Sequence, residues 1–211
     1  LILQIIAIVL SYLLGSVSFS VVLAKMLKGI DIRQHGSGNA GATNTLRILG
    51  KGPAIVVLLL DVLKGIIAVL VGRWLGDGNE WIPALCGIAA IIGHNWPIYF
   101  HFRGGKGIAT TIGVMATLSF VPALCAGVIA ILLIVITRYV SLGSLVFVAL
   151  TPISLLISGL IFGFDWSIFW SSFVICLFAF WRHRSNIVKI VQGRENKIGS
   201  GGSKGGKGIV K

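Results

Sequence analysis

The chain has 211 residues, 56% of them hydrophobic and only 11% charged, with a formal net charge of +12. A soluble domain usually carries about 25% charged residues, so a water-soluble globule is excluded. The basic residues are scattered through short connections between apolar blocks, not laid along one soluble face with interleaved aromatics, which argues against a nucleic-acid partner.

Seven apolar segments are predicted as membrane spans: 1–27, 53–75, 81–99, 107–121, 123–137, 142–162 and 166–181. The first outruns the short apolar core of a signal peptide and has no basic stretch before it, so a span is expected there, not a cleaved leader. It leads into a polar island, Gly36-Ser-Gly-Asn-Ala-Gly-Ala-Thr-Asn-Thr-Leu-Arg47. Small residues let backbone amides approach an anion, Ser37, Asn39, Thr43 and Asn44 offer side-chain hydrogen bonds, and Arg47 can neutralise a phosphate. The bland alternative is a solvated glycine loop before an N-capped helix. Gly36, Gly38 and Gly41 also fit G-x-G-x-x-G, but a dinucleotide fingerprint needs a preceding strand and a βαβ unit, and here a membrane helix precedes it.

Asp61 and Lys64 lie near the middle of the second span and three residues apart, hence on one face. Ionisable groups at bilayer centre are costly, so the preferred reading is an intrahelical pair facing the bundle interior. A polar wall beneath an active site is the other. After the third span comes Gly93-His-Asn-Trp-Pro-Ile-Tyr-Phe-His-Phe-Arg-Gly-Gly-Lys-Gly107, followed by Thr110. A glycine-flanked lysine that opens a helix suits an anion, because the first amides are unpaired and the helix dipole favours negative charge. Gly107 stands where a Walker sequence needs Ser or Thr. For His94 and His101 an interfacial structural role and a catalytic one stay equally open.

The stretch 107–137 would run to roughly 46 Å as one helix, too long for a core of about 30 Å, and Pro122 divides it. Two helices also keep Lys106 and Arg138 on one side. Five spans with re-entrant pieces are the alternative. The last span ends in Trp181-Arg-His-Arg-Ser-Asn-Ile-Val-Lys-Ile-Val-Gln-Gly-Arg-Glu195, where His183 and Asn186 would share a helical face. Glu195 would tie the basic cluster together. From 198 the chain is a flexible, basic Gly/Ser/Lys tail, and 1–197 form one membrane domain. Cys86, Cys125 and Cys176 fall in separate apolar segments and read as small hydrophobes. All but Lys64 and Arg73 of the 18 Lys and Arg fall on one side of this topology. That asymmetry puts the amino terminus outside and the carboxyl terminus in the cytoplasm.

In content and order these patches resemble the motifs of the bacterial acyl-phosphate:glycerol-3-phosphate acyltransferase family. The matching pieces are Ser37-Gly-Asn-Ala-Gly-Ala-Thr-Asn44 with Arg47, then Asp61-Val-Leu-Lys-Gly65. Gly93-His94 through Pro97 to Phe102-Arg-Gly-Gly-Lys-Gly107 follows, and last Arg182-His183 through Asn186-Ile187 to Gly193 and Glu195. The resemblance implies an all-α polytopic enzyme of a bacterial inner membrane, with its active site facing the cytoplasm. It would transfer a fatty acyl group from acyl phosphate to the 1-hydroxyl of glycerol 3-phosphate, giving lysophosphatidate and inorganic phosphate. Ser37, Arg47, Lys106, His183 and Asn186 would carry the chemistry. Gly38, Asn39, Gly41, Thr43, Asn44, His94, Gly104, Gly105, Gly107 and Thr110 would bind substrate, while Glu195, Asp61 and Lys64 would be structural.

Two phosphorylated substrates suit a site rich in amides with Arg47 and Lys106 to offset their repulsion. Acyl phosphate is already activated, so no covalent intermediate is expected, and neither a cofactor nor a metal is implied. Membrane lipid surrounds the chain, and an enzyme that makes acyl phosphate is the protein partner the reaction implies. The H-x-x-x-x-D pattern of thioester-using acyltransferases is absent: the positions five after His35, His94, His101 and His183 hold Ala40, Tyr99, Lys106 and Val188. A transporter of a phosphorylated metabolite is the rival, with the Asp61 and Lys64 pair in its favour; no internal repeat supports it.

Overall fold

The computed structural model describes residues 1–199, and all regular structure among them is helical. The α-helices are α1 Ile2–Gly15, α2 Phe19–Lys28, α3 Ala42–Leu49, α4 Lys51–Leu75, α5 Trp81–Asn95, α6 Ile108–Leu118, α7 Phe120–Thr137, α8 Val140–Phe162, α9 Trp166–Arg182 and α10 Arg184–Val191. Short 3-10 turns stand at Ile32–Gln34 and Ile98–Phe100. Five segments are long and apolar enough to cross a membrane: Ile2–Lys28, Lys51–Leu75, Trp81–Phe100, Phe120–Thr137 and Val140–Phe162. Two shorter apolar helices, Ile108–Leu118 and Trp166–Arg182, account for the other predicted spans. Much of the outward surface is apolar: Ile129, Leu132, Val135 and Ile136 of α7 all lie more than 48% exposed, as residues facing lipid do.

Small residues decide which helices meet. A side chain on Gly15 of α1 would collide with the Ala90 backbone of α5, and one on Gly93 with the Tyr12 carbonyl. Gly65 and Gly113 bring α4 and α6 together in the same way, and Gly143 seats α8 on Ala130 and Ile134 of α7. Without a hydrophobic drive between helices in lipid, such close backbone approach supplies much of the packing energy.

Two predicted boundaries move. The expected continuous helix 1–27 is broken between Gly15 and Phe19, at Gly15-Ser16-Val17-Ser18, with no proline at the place. Ser16 and Val17 close a tight turn onto the Tyr12 and Leu14 carbonyls, and the Val17 carbonyl, released from the ladder, accepts from Lys64 Nζ at 3.0 Å. A buried partner inside the bundle replaces the lost helical bond. The second shift is at Ser119, where α6 ends and α7 begins, three residues before the expected divide at Pro122. Pro122 lies in the first turn of α7, where its missing N–H costs nothing.

The shortness of α6 has a geometric cause. Its first turns pack against Gly65, halfway along α4, and Arg73 near the far end of α4 reaches the Thr117 carbonyl at 2.7 Å. The loop that precedes α6 is therefore recessed to the depth of the middle of α4, and α6 runs beside only the remaining half of that helix. At that far end Gln4 bonds the Gly76 carbonyl at 3.0 Å and Ser167 bonds the Glu80 carbonyl at 3.1 Å. The polar patches gather at the opposite end. Of the predicted tail 198–211, residues from 200 onward lie outside the described residues. Ile198 lies inside them and is clasped by Arg138: its N–H donates to the Arg138 carbonyl at 2.8 Å, and Arg138 Nε and Nη2 donate to its carbonyl at 3.1 and 3.0 Å.

Candidate active site

The first polar patch folds around Asn44. This side chain is buried on α3; its Oδ1 accepts from the Ser37 N–H at 2.9 Å, and its Nδ2 donates to the Ile32 and His35 carbonyls at 3.2 and 2.9 Å. Asn44, expected to contact a ligand, uses these hydrogen-bonding groups to hold the loop itself. Gly36, at φ +61, has no room for a side chain beside Asn44. The loop so pinned leaves Ser37 and Arg47 exposed and Asn39 and Thr43 half-buried. Among the described residues the side chains of Ser37, Thr43 and Arg47 have no hydrogen-bond partner and Arg47 no ion pair. Gly38 and Gly41 flank Asn39, and Thr45 secures the Gly41 carbonyl at 3.1 Å.

Arg33 fastens this loop to the second. Its guanidinium grips Asp31 at 2.7 Å, which holds that carboxyl below the usual carboxylate range, and donates to the Phe100 and Arg103 carbonyls at 2.8 and 3.3 Å. Beyond Phe100 the chain passes through two left-handed residues, His101 and Phe102, at φ +55 and +57. That is a strained path for a bulky side chain. Gly104 and Gly105 then turn their carbonyls to Arg182 at the end of α9, at 3.2 Å for Gly104 and 3.0 and 2.6 Å for Gly105. The Arg182 guanidinium lies 5.3 Å from the Trp96 ring centroid. Gly107, at φ +80, starts α6.

Lys106 stands between these glycines and donates from Nζ to Asn186 Oδ1 at 2.5 Å; Asn186 in turn donates from Nδ2 to Glu195 Oε1 at 2.9 Å. Burial pulls the Lys106 ammonium down to about 8, with Arg182, Lys189 and Arg47 adding repulsion and Glu195 opposing them. His183 joins α9 to α10 and is buried; Nδ1 faces the Ala179 carbonyl at 2.8 Å. A carbonyl only accepts, so Nδ1 carries the proton and Nε2 keeps a lone pair. Burial first, and the Lys106 charge second, bring its pKa down to about 4, so the ring is neutral at pH 7.

Two further expected ligands are placed otherwise. Thr110 is fully buried in the contact between α6 and α4, with its hydroxyl unpaired and closed to solvent. His94 is buried against Asp61 and Lys64, where Lys64 Nζ and His94 Nδ1 are 2.9 Å apart. The ion pair read as purely intrahelical thus has a third member from α5. Arg33 and Arg182, which hold the loops, were not singled out from sequence. Both bond to backbone carbonyls, which leave no mark in a sequence; the one available signal for Arg182 is its place beside His183.

Comparison with known proteins then places the chain. The model of the family described as glycerol-3-phosphate acyltransferase matches residues 5–193. The chain is 60% identical to the glycerol-3-phosphate acyltransferase of Halalkalibacterium halodurans over 90% of its own length and 92% of that protein's. With the enzyme of Thermoanaerobacter pseudethanolicus the identity is 45%, over 90% and 93%. Its fold is similar to the crystal structure of PlsY (YgiH), an integral membrane glycerol 3-phosphate acyltransferase, in the glycerol 3-phosphate form. That comparison gives a TM-score of 0.86 at 36% identity, covering 93% of this chain and 96% of the other. The lysophosphatidic acid form gives 0.83 at 35%.

Proposed function

The chain belongs to the glycerol-3-phosphate acyltransferase family, and from that premise we propose that it takes its acyl group from acyl phosphate and releases lysophosphatidate and inorganic phosphate. That it is an integral membrane acyltransferase acting on glycerol 3-phosphate follows from the family. The donor, the product and the residue roles are the proposal. The observation that carries it is the meeting of Lys106, Asn186 and the Arg182-held glycines with the loop that presents Ser37 and Arg47, at one end of the bundle. The related PlsY structures with glycerol 3-phosphate and with lysophosphatidic acid support both the acceptor and the product.

In this reading Lys106 and Arg47 neutralise the two phosphates, and Ser37 donates to a phosphate or carbonyl oxygen. The acceptor's 1-hydroxyl attacks the acyl carbon, the carbon–oxygen bond to phosphate breaks, and the leaving phosphate takes the electron pair. His183 Nε2 accepts the hydroxyl's hydrogen bond and orients it. A ring with a pKa of about 4 is a weak base, so the proton passes to a substrate phosphate, whose second pKa is near 6. Asn186 and Glu195 hold Lys106 in place. The loops face the cytoplasm of a bacterial inner membrane, with the amino terminus outside and seven passes of which α6 is a half-length one. The transporter reading loses its support, since Asp61 and Lys64 are closed in by His94 and Val17 and border no passage.

The test offers acyl phosphate, acyl-coenzyme A and acyl carrier protein in turn, with labelled glycerol 3-phosphate, to protein purified free of other acyltransferases. Lysophosphatidate is expected from acyl phosphate alone. Comparable product from a thioester would end the donor assignment.

A further inference from the structure

Lys64 sits where interruptions of several helices meet. Its ammonium has three polar atoms around it: Asp61 Oδ1 at 2.7 Å as an ion pair, and His94 Nδ1 at 2.9 Å and the Val17 carbonyl at 3.0 Å as hydrogen-bond partners. Asp61 and Lys64 lie on α4, His94 in the last turn of α5, and Val17 in the break between α1 and α2. The side chains of Asp61 and Lys64 are 2% and 1% exposed, and the Phe19 ring, 5.7 Å from Lys64 Nζ, closes one side. An ammonium cannot accept, so in the 2.9 Å contact His94 Nδ1 accepts; the opposite tautomer would have to send Nδ1–H to Asp61 Oδ1 over a longer 3.5 Å. The imidazole proton therefore falls on Nε2.

That nitrogen points back toward the reaction site. A side chain on Gly105 would overlap His94 Nε2 and the Ala40 carbonyl, so the ring lies flush against the second loop where it meets the first. The Gly105 N–H donates to the His94 carbonyl at 3.1 Å, and the Gly105 carbonyl is held from the other side by Arg182. The residue after Gly105 is Lys106. A rigid path therefore runs from the buried pair through the imidazole to the backbone that aims the Lys106 ammonium at Asn186.

We propose that Asp61, Lys64 and His94 are positioning residues of the acyltransferase, a buried three-member network that fixes the register of residues 104–107. This rests on the reading of that loop as the holder of a substrate phosphate. A pair serving only membrane insertion would need no third acceptor and no contact with a loop glycine. In lipid, two opposed charges could equally be replaced by two neutral groups, because removing both leaves no stranded charge.

That difference supplies the test. The double variant Asp61→Asn with Lys64→Met removes both charges at nearly constant volume. It is expected to purify as a folded protein, with a melting temperature lowered by a few degrees because the Val17 carbonyl loses its donor. Its KM for glycerol 3-phosphate should rise by roughly 10- to 100-fold, with a smaller change in kcat, since a displaced anchor weakens the hold on phosphate. A KM equal to that of the unaltered enzyme would overturn the proposal. A second measurement needs no folded double variant: nitrogen-15 spectra of the unaltered enzyme with labelled histidine, the His94 signal identified by its loss in His94→Asn. The proton on Nε2 and an accepting Nδ1 are expected, and a proton on Nδ1 would overturn the network. Absence of turnover in the unaltered enzyme would overturn the functional reading itself and the proposal with it.

Discussion

Lys106 carries an ammonium whose charge is lost as pH rises through about 8, well before that of an ordinary lysine. If that charge holds a substrate phosphate, kcat/KM should fall above about pH 8, which a pH profile of the free enzyme would report. The stability of the fold should move the other way. Between about 8 and 10.5 the unfolded chain keeps a proton that the folded chain has lost, so this group's contribution to stability rises with pH across that window. Glu195→Gln removes the one negative charge opposing the shift and should slide the alkaline limb to lower pH, while a hydrogen bond from Asn186 persists. Lys106→Ala should cost roughly 1.5–3 kcal/mol of transition-state binding, about 10- to 100-fold in kcat/KM, without unfolding the protein. His183 poses a separate question. With Nδ1 tied to Ala179 and Nε2 open, His183→Gln should retain more activity than His183→Ala if the ring orients the hydroxyl. Equal and complete loss in both would give it the role of base. Ser37, Arg47, Lys106, His183 and Asn186 stand out in the sequence because polar residues are scarce in so apolar a chain. Asn44 and His94 stood out for the same reason, but scarcity does not tell that Asn44 bonds the backbone of its own loop and that His94 lies against the Asp61 and Lys64 pair.

Among elements, the long aliphatic blocks were legible because nothing but lipid exposure explains them, and α4, α7 and α8 come within a few residues of the expected segments. The break between α1 and α2 falls on Gly15-Ser16-Val17-Ser18, a weak helical stretch that the apolar length of the segment masked. The distant Lys64 that satisfies the freed Val17 carbonyl leaves no local pattern. The packing of α4 on α6 was equally hidden, although its glycines are plain to see. Gly113→Leu should separate the two helices, because the added atoms would meet the Val62 backbone. Overpacking of this kind costs typically about 1–3 kcal/mol, and each kcal/mol lowers the melting temperature of a chain this size by about 2–4 °C. Gly52→Leu on α4, with nothing within 4 Å of the added carbon, is the control and should melt normally.

For the whole molecule, the charge asymmetry predicts a topology, and the hydrogen bonds gather at two ends of the bundle. Gln4, Gly76, Glu80 and Ser167 meet at one end; Arg33, Arg182, Lys106 and Glu195 meet at the other. Single cysteines at Asn79 and at Ser185 should therefore label from opposite sides of intact cells. Same-side labelling would end this arrangement. The order in which the parts arrive during synthesis adds a consequence. Glu195, which backs Asn186, and Ile198, which clasps Arg138, both follow α10, downstream of every membrane helix. A nascent chain halted at Val191 would have its whole bundle inserted and its glycine loops made, and still lack the two contacts that brace Lys106 and the turn between α7 and α8. A chain truncated at Val191 is therefore expected to insert its bundle yet turn over more slowly than the full chain, which lysophosphatidate formation per inserted protein would measure.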